Sequence, residues 1–383
     1  MDLALSPEQE ATKKSVAEWV DAVVVPAAIR NDREERFPQE GLDGLRRDGW
    51  IGLTIPDEYG GGGADSLTYC LVIEELGRGD ANVRSILSVH LGLVAGSINR
   101  WGSEEQKQHW LPQMASGDVL GCFCLTEPDH GSDPASLETT AVKEGDAYRI
   151  NGSKIFITNG DIAGVALVMA RTGGPGARGV SAFLVPCDTD GFNPKPIHGK
   201  LGLRSCDTAE ISLDDVVVPA SALLGQEGDG IKVALSALDD GRMSLASSCT
   251  GLGQAALDAM TSYAAQREQF GRPIAGFQLV QELIADTAVE VDAARLLTWR
   301  VADLKMRGEK YTLAASKAKY YASEMCVRAA NAAVQVHGGY GYVDEFVVGK
   351  LLRDSRVTTL YEGTSQVQKL LIGRALTGVS AFT

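Results

Sequence analysis

Glu362 is the residue in this chain best placed to act as a base. It lies in the run Tyr361-Glu-Gly-Thr-Ser-Gln-Val-Gln368, where Thr364 occupies an N-cap position before apolar residues at helical spacing. The pattern predicts that Glu362 projects from a tight turn, near the unpaired N–H groups of a helix start. Surrounded by apolar groups, such a carboxylate has a raised pKa and can deprotonate a weak carbon acid. The alternative is a helix-start glutamate that only favours the helix dipole.

Further segments carry polar residues in patterns that suit ligand binding. They are Thr126-Glu-Pro-Asp-His-Gly-Ser132-Asp133, Lys154–Gly160, Leu238–Met243, Arg267–Gln278 and Gln335–Gly341. Each also has a purely structural interpretation: a polar turn that caps its own backbone, a strand with an aromatic core residue, or close helix packing at Gly241. His337 could be a base, or a helix-end residue that caps carbonyls.

Length and composition describe an ordinary globular protein. The chain has 383 residues, of which 44% are hydrophobic and 22% charged, enough for two or three domains. Its net charge of -14 argues against nucleic-acid binding, which needs a basic face. An anionic ligand remains possible, since it needs only a local basic pocket.

Cysteines, histidines and the N-terminus restrict the location and the chemistry. The seven cysteines form no C-x-x-C pair, which favours reduced thiols, and the five histidines have no metal-site spacing, which predicts no metal. The N-terminus lacks signal-peptide features, and no apolar run reaches the ~18 residues of a membrane span. We expect a soluble intracellular protein, cytoplasmic in a bacterium or in the mitochondrial matrix as a mature form.

The periodicity of apolar residues changes twice along the chain. Residues 1–118 read as an all-α domain, residues 119–228 as a small β-barrel or β-sandwich domain, and residues 229–383 as an antiparallel helical bundle. Capping boxes begin helices at Ser6 and Ser103. The bundle is predicted to contain three long helices, which are Ile231–Gln269, Gln278–Arg307 and Leu313–Val336. The predicted fold class is a multi-domain α+β protein.

Turn signals divide the middle domain into strands. Glu144-Gly-Asp146 separates two predicted strands, and Asn151-Gly152 is predicted as a hairpin turn. The strands so delimited are Thr139–Val142, Tyr148–Ile150, Lys154–Thr158, Val165–Ala170, Ser181–Val185 and Ala209–Leu213.

The segments described above resemble, in this order, those of the acyl-CoA dehydrogenase family, over essentially the whole chain. The run around Glu362 is similar to the family segment that carries the catalytic base, and Lys200–Arg204 and Arg295–Arg300 are most like the short-chain types. The order of helical domain, β domain and helical bundle is also that of the family. Gly241 stands where a minority of members carries the base, so the resemblance assigns the base to Glu362.

The resemblance implies FAD as cofactor and gives roles to individual residues. The first group of FAD contacts comprises Phe123, Leu125, Thr126, Ser132, Phe156 and Thr158, with Ser132 at the diphosphate, although many members have tryptophan where this chain has Phe156. A second group comprises Arg267, Phe270, Gln278, Gln335, Gly338, Gly339, Thr364 and Gln366, several of which would reach the FAD of a neighbouring subunit. The implied substrate contacts are Ser132, Asp239, Arg242, Tyr361 and Gly363.

The implied reaction is the α,β-dehydrogenation of a short or branched acyl thioester to the trans-2-enoyl thioester. Glu362 would take the α-proton while flavin N5 accepts the β-hydride. The thioester would be of coenzyme A or an acyl carrier protein, electrons would pass to an electron-transferring flavoprotein, and the protein would be a homo-oligomer, in most cases a tetramer. The alternatives are an acyl-CoA oxidase and a non-catalytic relative that acts as a binding protein.

Overall fold

A computed structural model describes residues 4–382, which begin with a helical region. Capping boxes at Ser6 and Ser103 begin two of its helices, as predicted. The helices are α1 (Pro7–Trp19), α2 (Val25–Glu34), α3 (Gln39–Arg47), α4 (Ser66–Gly79), α5 (Ala81–Leu87), α6 (Gly96–Trp101) and α7 (Glu104–Ser116), with π-helical turns at Val20–Val24 and Ser88–Ala95.

The stretch Ala81–Trp101, which contains α5, a π-helical segment and α6, is long and apolar enough to cross a membrane by composition alone. In this fold 83% of its most apolar window is buried inside the protein. It is therefore a core helix, packed between the sheet and the bundle. Because π-helical turns are frequent at functional sites, the turn at Ser88–Ala95 indicates that a ligand site lies beside it.

The middle region forms a mixed sheet. Within residues 4–382 the sheet has eight strands in the order β6-β7-β3-β2-β4-β5-β8, with β1 parallel to β4. The strands are β1 (Gly121–Cys124), β2 (Thr140–Glu144), β3 (Ala147–Thr158), β4 (Val165–Arg171), β5 (Val180–Pro186), β6 (Phe192–Pro196), β7 (Thr208–Pro219) and β8 (Leu223–Leu224). Alternate residues of β4 lie in two different cores, one inside the folded sheet and one against the helices. The sheet therefore docks on the helical regions through one face of β4 and β5.

The hairpin predicted at Asn151-Gly152 is wrong. The chain does turn at Gly145, but β3 then runs without interruption through both residues, with a register shift at that point. Asn151 Nδ2 donates to Asp215 Oδ1 (3.0 Å), and the Asp215 N–H donates to Asn151 Oδ1 (2.8 Å). A Cβ at Gly152 would lie 2.5 Å from Thr139 Oγ1. The dipeptide thus forms a β-bulge at a point where three strands lie close together. A glycine inside a strand often marks such a bulge or a close backbone approach, so the same residues are compatible with a bulge as well as with a turn.

The C-terminal region is a helical bundle, as predicted. Its helices are α8 (Gly230–Gln266), α9 (Gln278–Met306), α10 (Thr312–His337), α11 (Val348–Val357) and α12 (Ser365–Thr377). The prediction for α8 is three residues too long, because Glu268–Gln269 leaves the helix and pairs with Arg272–Pro273 as strands β9 and β10. The order of the three regions confirms the predicted fold class, while the domain limits at 118/119 and 228/229 stay predictions.

The long helix α8 packs closely on α4 of the first region. A Cβ at Gly251 would lie 1.9 Å from the carbonyl oxygen of Glu74, so the two backbones touch there. Arg295 of α9 closes the same contact, because its Nε donates to Glu74 Oε1 at 2.9 Å. The first and third regions therefore share one continuous core rather than meeting at a polar interface.

A buried ion cluster joins all three regions. Lys350 Nζ on α11 donates to Asp80 Oδ1 (2.8 Å) at the start of α5, and to Asp354 Oδ2 (2.6 Å). Asp354 Oδ1 accepts the N–H of Leu203, in the segment between β6 and β7, at 2.6 Å. Burial alone would lower the pKa of Lys350, but the two carboxylates hold it above its usual range. The ammonium group is therefore charged at neutral pH.

Lys350→Met is expected to lower the free energy of unfolding by about 3–5 kcal/mol, since it leaves two buried carboxylates without a counter-ion. Denaturant titration of both proteins measures the difference. Lys14→Met is the matched control, because Lys14 is exposed and lies 3.9 Å from Glu18 in a surface pair worth about 0.5 kcal/mol or less. A loss below about 1 kcal/mol for Lys350→Met would mean that the cluster does not hold the regions together.

Candidate active site

Glu362 lies in a tight turn between α11 and α12. Its φ is +58° and that of Gly363 is +85°, so two successive residues are left-handed. Thr364 then caps α12, as predicted, by accepting the N–H of Val367 at Oγ1 (3.1 Å). A left-handed conformation costs a non-glycine residue roughly 1–2 kcal/mol, and such strain clusters at functional sites.

Three side chains from other elements hold the backbone of this turn. Gln368 Nε2 donates to the carbonyl oxygen of Glu362 (3.0 Å), as does Arg242 Nε (3.3 Å). Lys319 Nζ donates to the carbonyl oxygen of Gly363 (2.8 Å). Because the carbonyls are held, the side chain of Glu362 has a defined direction, towards α8.

The carboxylate of Glu362 is in an unusual environment. Its Oε2 atom is buried and meets no hydrogen-bond partner within residues 4–382. Burial raises its pKa to about 7, against the opposing charges of Arg242, Lys319 and Arg84. A Cβ at position 241 would lie 2.5 Å from Oε2, so the carboxylate rests on the bare backbone of α8 at Gly241. A carboxyl group with this pKa can both accept and release a proton near neutral pH.

Glu362 faces a cavity of about 390 Å³ that lies among α5, the sheet and α8. The structure brings one group of the sequence-predicted site residues together on its walls. That group consists of Phe123, Leu125, Thr126, Ser132, Phe156, Thr158, Asp239, Arg242, Tyr361, Glu362 and Gly363.

One wall of the cavity is formed by the ends of β1 and β3. The N–H of Ile155 donates to the carbonyl oxygen of Thr126 (2.9 Å), which joins the two predicted segments. Beneath them Lys154, fully buried, is 2.7 Å from Glu127 Oε1. A second irregularity in β3 turns Phe156 to a φ of +60° and leaves it 65% exposed. The wall thus offers an open aromatic ring beside hydroxyl groups, which suits a planar heterocycle.

None of the second predicted group lines this cavity in the single chain, although Thr364 and Gln366 lie in the adjoining turn and helix. Residue 241 lies within α8 and Arg267 directly follows the end of that helix, about 39 Å further along at 1.5 Å per residue. Phe270 is 94% exposed, and the side chains of Arg267, Gln278, Gln335 and Gln366 are exposed as well. Arg267, Gly338 and Gly339 line a separate, open cavity of about 710 Å³.

His337 belongs to that second cavity and not to the one at Glu362. It stacks on Tyr263 with ring centroids 4.2 Å apart, its Nδ1 lies 2.8 Å from the carbonyl oxygen of Ala333, and burial lowers its pKa. This packing favours the structural interpretation of His337 over a role as base.

Sequence analysis missed Arg84, Lys319 and Gln368. Arg84 had a signal, since it is the only Asp, Glu, Lys or Arg residue in the apolar stretch 81–99. Charged residues are almost never fully buried unless they are paired, so a lone charge in a core helix deserves a reason. Lys319 and Gln368 act on backbone carbonyls, and neither leaves a recognisable pattern in sequence.

Three family models together match most of the chain. They are described as the acyl-CoA dehydrogenase N-terminal domain, matched by residues 6–118, the middle domain, by residues 122–216, and the C-terminal domain, by residues 228–377.

Individual relatives match over nearly their full length. The short-chain specific acyl-CoA dehydrogenase of Clostridium acetobutylicum is 40% identical, over 97% of this chain and 98% of its own. The butyryl-CoA dehydrogenase structure from Megasphaera elsdenii is 38% identical with a TM-score of 0.96, covering 98% of this chain and 100% of its own. A glutaryl-CoA dehydrogenase from Mycobacterium smegmatis, in complex with FADH2, is 36% identical with a TM-score of 0.94, covering 99% and 97%.

The raised pKa of Glu362 predicts a pH-dependent cost to stability. Between about pH 4.5 and 7 the folded state keeps a proton that the unfolded state has lost, so the free energy of unfolding falls as the pH rises. Glu362→Gln removes this effect and should gain up to about 3 kcal/mol on wild type by pH 8. Unfolding titrations from pH 5.5 to 8.5 measure the difference, with the exposed Glu58→Gln as control. A difference that is constant with pH would show that this carboxyl titrates in its ordinary range.

Proposed function

The chain belongs to the acyl-CoA dehydrogenase family, and we propose that it converts a short acyl thioester to the trans-2-enoyl thioester. The observation that carries the proposal is the buried, unpartnered carboxylate oxygen of Glu362, on a group whose pKa is about 7, at the wall of a cavity. Glu362 takes the α-proton of the acyl group. A non-catalytic binding protein would have no need of a strained turn that holds such a base.

The protein is a flavin-dependent oxidoreductase with FAD as its cofactor. The cavity fits this group, because the exposed face of Phe156 and the hydroxyls of Thr126 and Thr158 share one wall. We assign Phe123, Leu125 and Ser132 to the same contact surface. Bound FAD supplies the oxidant that removes the β-hydrogen as a hydride.

The protein's own groups organise the substrate side. The amide N–H of Glu362 is proposed to donate to the thioester carbonyl, where negative charge develops; one such donor contributes about 2.7–4 kcal/mol. Arg242 is a positioning residue, since it holds the carbonyl of Glu362 and is itself held by Asp239 at 2.8 Å. Tyr361 and Gly363 complete the wall around the acyl group. Closing the cavity over the substrate excludes water and strengthens the base further.

We propose that the second group of residues completes the FAD site of a neighbouring subunit. Most of these residues are exposed, and those from Arg267 to Gly339 lie away from the Glu362 cavity, yet they include an arginine suited to a diphosphate and an open aromatic ring at Phe270. The protein would then be an obligate homo-oligomer, a dimer or tetramer.

Electron-transferring flavoprotein is the proposed electron acceptor, and the thioester is of coenzyme A or an acyl carrier protein. The cysteines within residues 4–382 are all free thiols, which suits a reducing compartment such as the cytoplasm.

The first test is anaerobic reduction of the purified yellow protein by acyl thioesters. Glu362→Gln should keep FAD but lose about 10²–10⁴-fold in the rate of flavin bleaching, the range typical of a general base. In wild type the rate should rise with pH through about 7, because the carboxylate must be ionised to accept the α-proton. Near-normal bleaching by the variant would exclude Glu362 as the base, and a protein that never binds FAD would exclude the function.

Mixed oligomers test whether the FAD site is shared. Glu362→Gln and Arg267→Glu subunits, each inactive alone, are unfolded and refolded together. If each site takes Glu362 from one subunit and Arg267 from its neighbour, a mixed pair contains one doubly altered site and one native site. Activity should then return, to at most half of wild type per mixed pair. No recovery in verified hetero-oligomers would place both residues of a site in one chain.

A further inference from the structure

Arg84 on α5 is a second unsatisfied group in the Glu362 cavity. Arg84 is only 3% exposed, and it lines the cavity wall. Nη1–H donates to Ser88 Oγ (3.0 Å) and Nη2–H donates to the hydroxyl of Tyr361 (2.8 Å). The Nε–H is buried and meets no acceptor within residues 4–382. Both contacts are to neutral hydroxyls, so they orient the guanidinium without compensating its charge.

Three other buried cations among the described residues are paired with carboxylates. Lys154 lies 2.7 Å from Glu127, Lys350 lies between two aspartates, and Arg242 lies 2.8 Å from Asp239. Arg84 has no carboxylate oxygen within 4.0 Å in the part of the chain that the structure describes. A buried charge without a counter-ion costs several kcal/mol, which a fold tolerates where function requires it.

Lys319 shows why this arginine is a different case. Lys319 is also buried without a carboxylate partner, but burial lowers its pKa to about 8, so it can relieve the cost by losing its proton. Arginine cannot be deprotonated in proteins. Arg84 therefore keeps a permanent positive charge in the cavity, and a bound molecule has to bring the counter-ion.

Glu362 forms no direct ion pair with Arg84. No contact within 4.0 Å joins the two charged groups among the residues described, although the positive charge of Arg84 partly opposes the rise that burial causes in the pKa of Glu362. The two groups are linked through Tyr361, whose hydroxyl accepts from Arg84 and whose neighbour in sequence is Glu362. A molecule bound in the cavity thus contacts two groups: Glu362, which can deprotonate a carbon acid, and Arg84, which carries a permanent positive charge.

We propose that the acyl group of the substrate carries a carboxylate at its distal end, and that Arg84 binds this carboxylate. The proposal rests on the dehydrogenase function above and names its substrate class: the monothioester of a short dicarboxylic acid. A planar guanidinium with an open Nε–H matches a carboxylate in shape and charge. Arg84 and Glu362 line the same cavity, so one bound acyl group can contact both. The oxidation is unchanged, with the α-proton taken by Glu362 and the β-hydride by FAD.

The test compares matched acyl groups on the holoenzyme. Succinyl, glutaryl and adipyl thioesters are each paired with the neutral butyryl, valeryl and hexanoyl thioester, both as coenzyme A and as carrier-protein thioesters. Anaerobic flavin bleaching gives the rate and the apparent affinity for each. At least one carboxyacyl thioester should exceed its neutral partner in kcat/KM by about 10- to 100-fold, the size of a hydrogen-bonded charge pair.

Variants of Arg84 assign the preference to this residue. Arg84→Gln should lower the carboxyacyl-to-neutral ratio of kcat/KM to about 1 or below, mainly through KM, and Arg84→Lys should keep part of it. Arg47→Gln, the same change at an exposed arginine of α3, should leave the ratio as in wild type. An Arg84→Gln protein that keeps the full preference would overturn the assignment.

The wild-type series is decisive even if the variants do not fold. Bleaching by neutral thioesters with no carboxyacyl thioester preferred overturns the Arg84 proposal and leaves the dehydrogenase function intact. A yellow protein bleached by none of the thioesters overturns the dehydrogenase function itself.

Discussion

The buried ammonium group of Lys350 is the contact on which the geometry of the cavity depends. Asp80, one of its two partners, begins the helix that carries Arg84, only four residues further on. Asp354, the other partner, lies in the helix that leads to the turn of Glu362. The same carboxylate binds the segment at Leu203. One cation therefore sets the distance between a fixed positive charge and a base that stand on parts of the chain almost three hundred residues apart.

The cavity departs from the rule that buried polar atoms are satisfied, and it does so at two atoms, Oε2 of Glu362 and Nε of Arg84. Neighbouring polar groups hold both residues: the carbonyls of the turn at Glu362 accept from Arg242, Lys319 and Gln368. The guanidinium of Arg84 is oriented by the hydroxyls of Ser88 and Tyr361. This is the arrangement expected where binding energy is to come from a ligand rather than from the fold.

Local patterns in the sequence predicted what local interactions decide. The caps at Ser6, Ser103 and Thr364 and the turn at Glu362 depend on neighbours three or four residues away, and all were predicted. The turn at Asn151-Gly152 was predicted wrongly because Asp215, 64 residues further along, binds the asparagine and the strand continues through the dipeptide. Arg84 was missed although its lone charge in an apolar stretch was a signal, because its partner Tyr361 is 277 residues away in the chain. The role of the second group of site residues stays a prediction.

The contact between Glu362 and Gly241 on α8 bears on how such a site can change over evolutionary time. The carboxylate occupies a point in space that a side chain at 241 would also enter, since a Cβ there would come within 2.5 Å of it. One location is thus reachable from two positions that are 121 residues apart in the chain. A lineage could move its acid from one position to the other through two substitutions and keep the chemistry. In this architecture the position of the carboxylate in space can be kept while its position in the sequence changes. A comparison of aligned residues alone would then interpret a base that has moved to the other position as a base that has been lost.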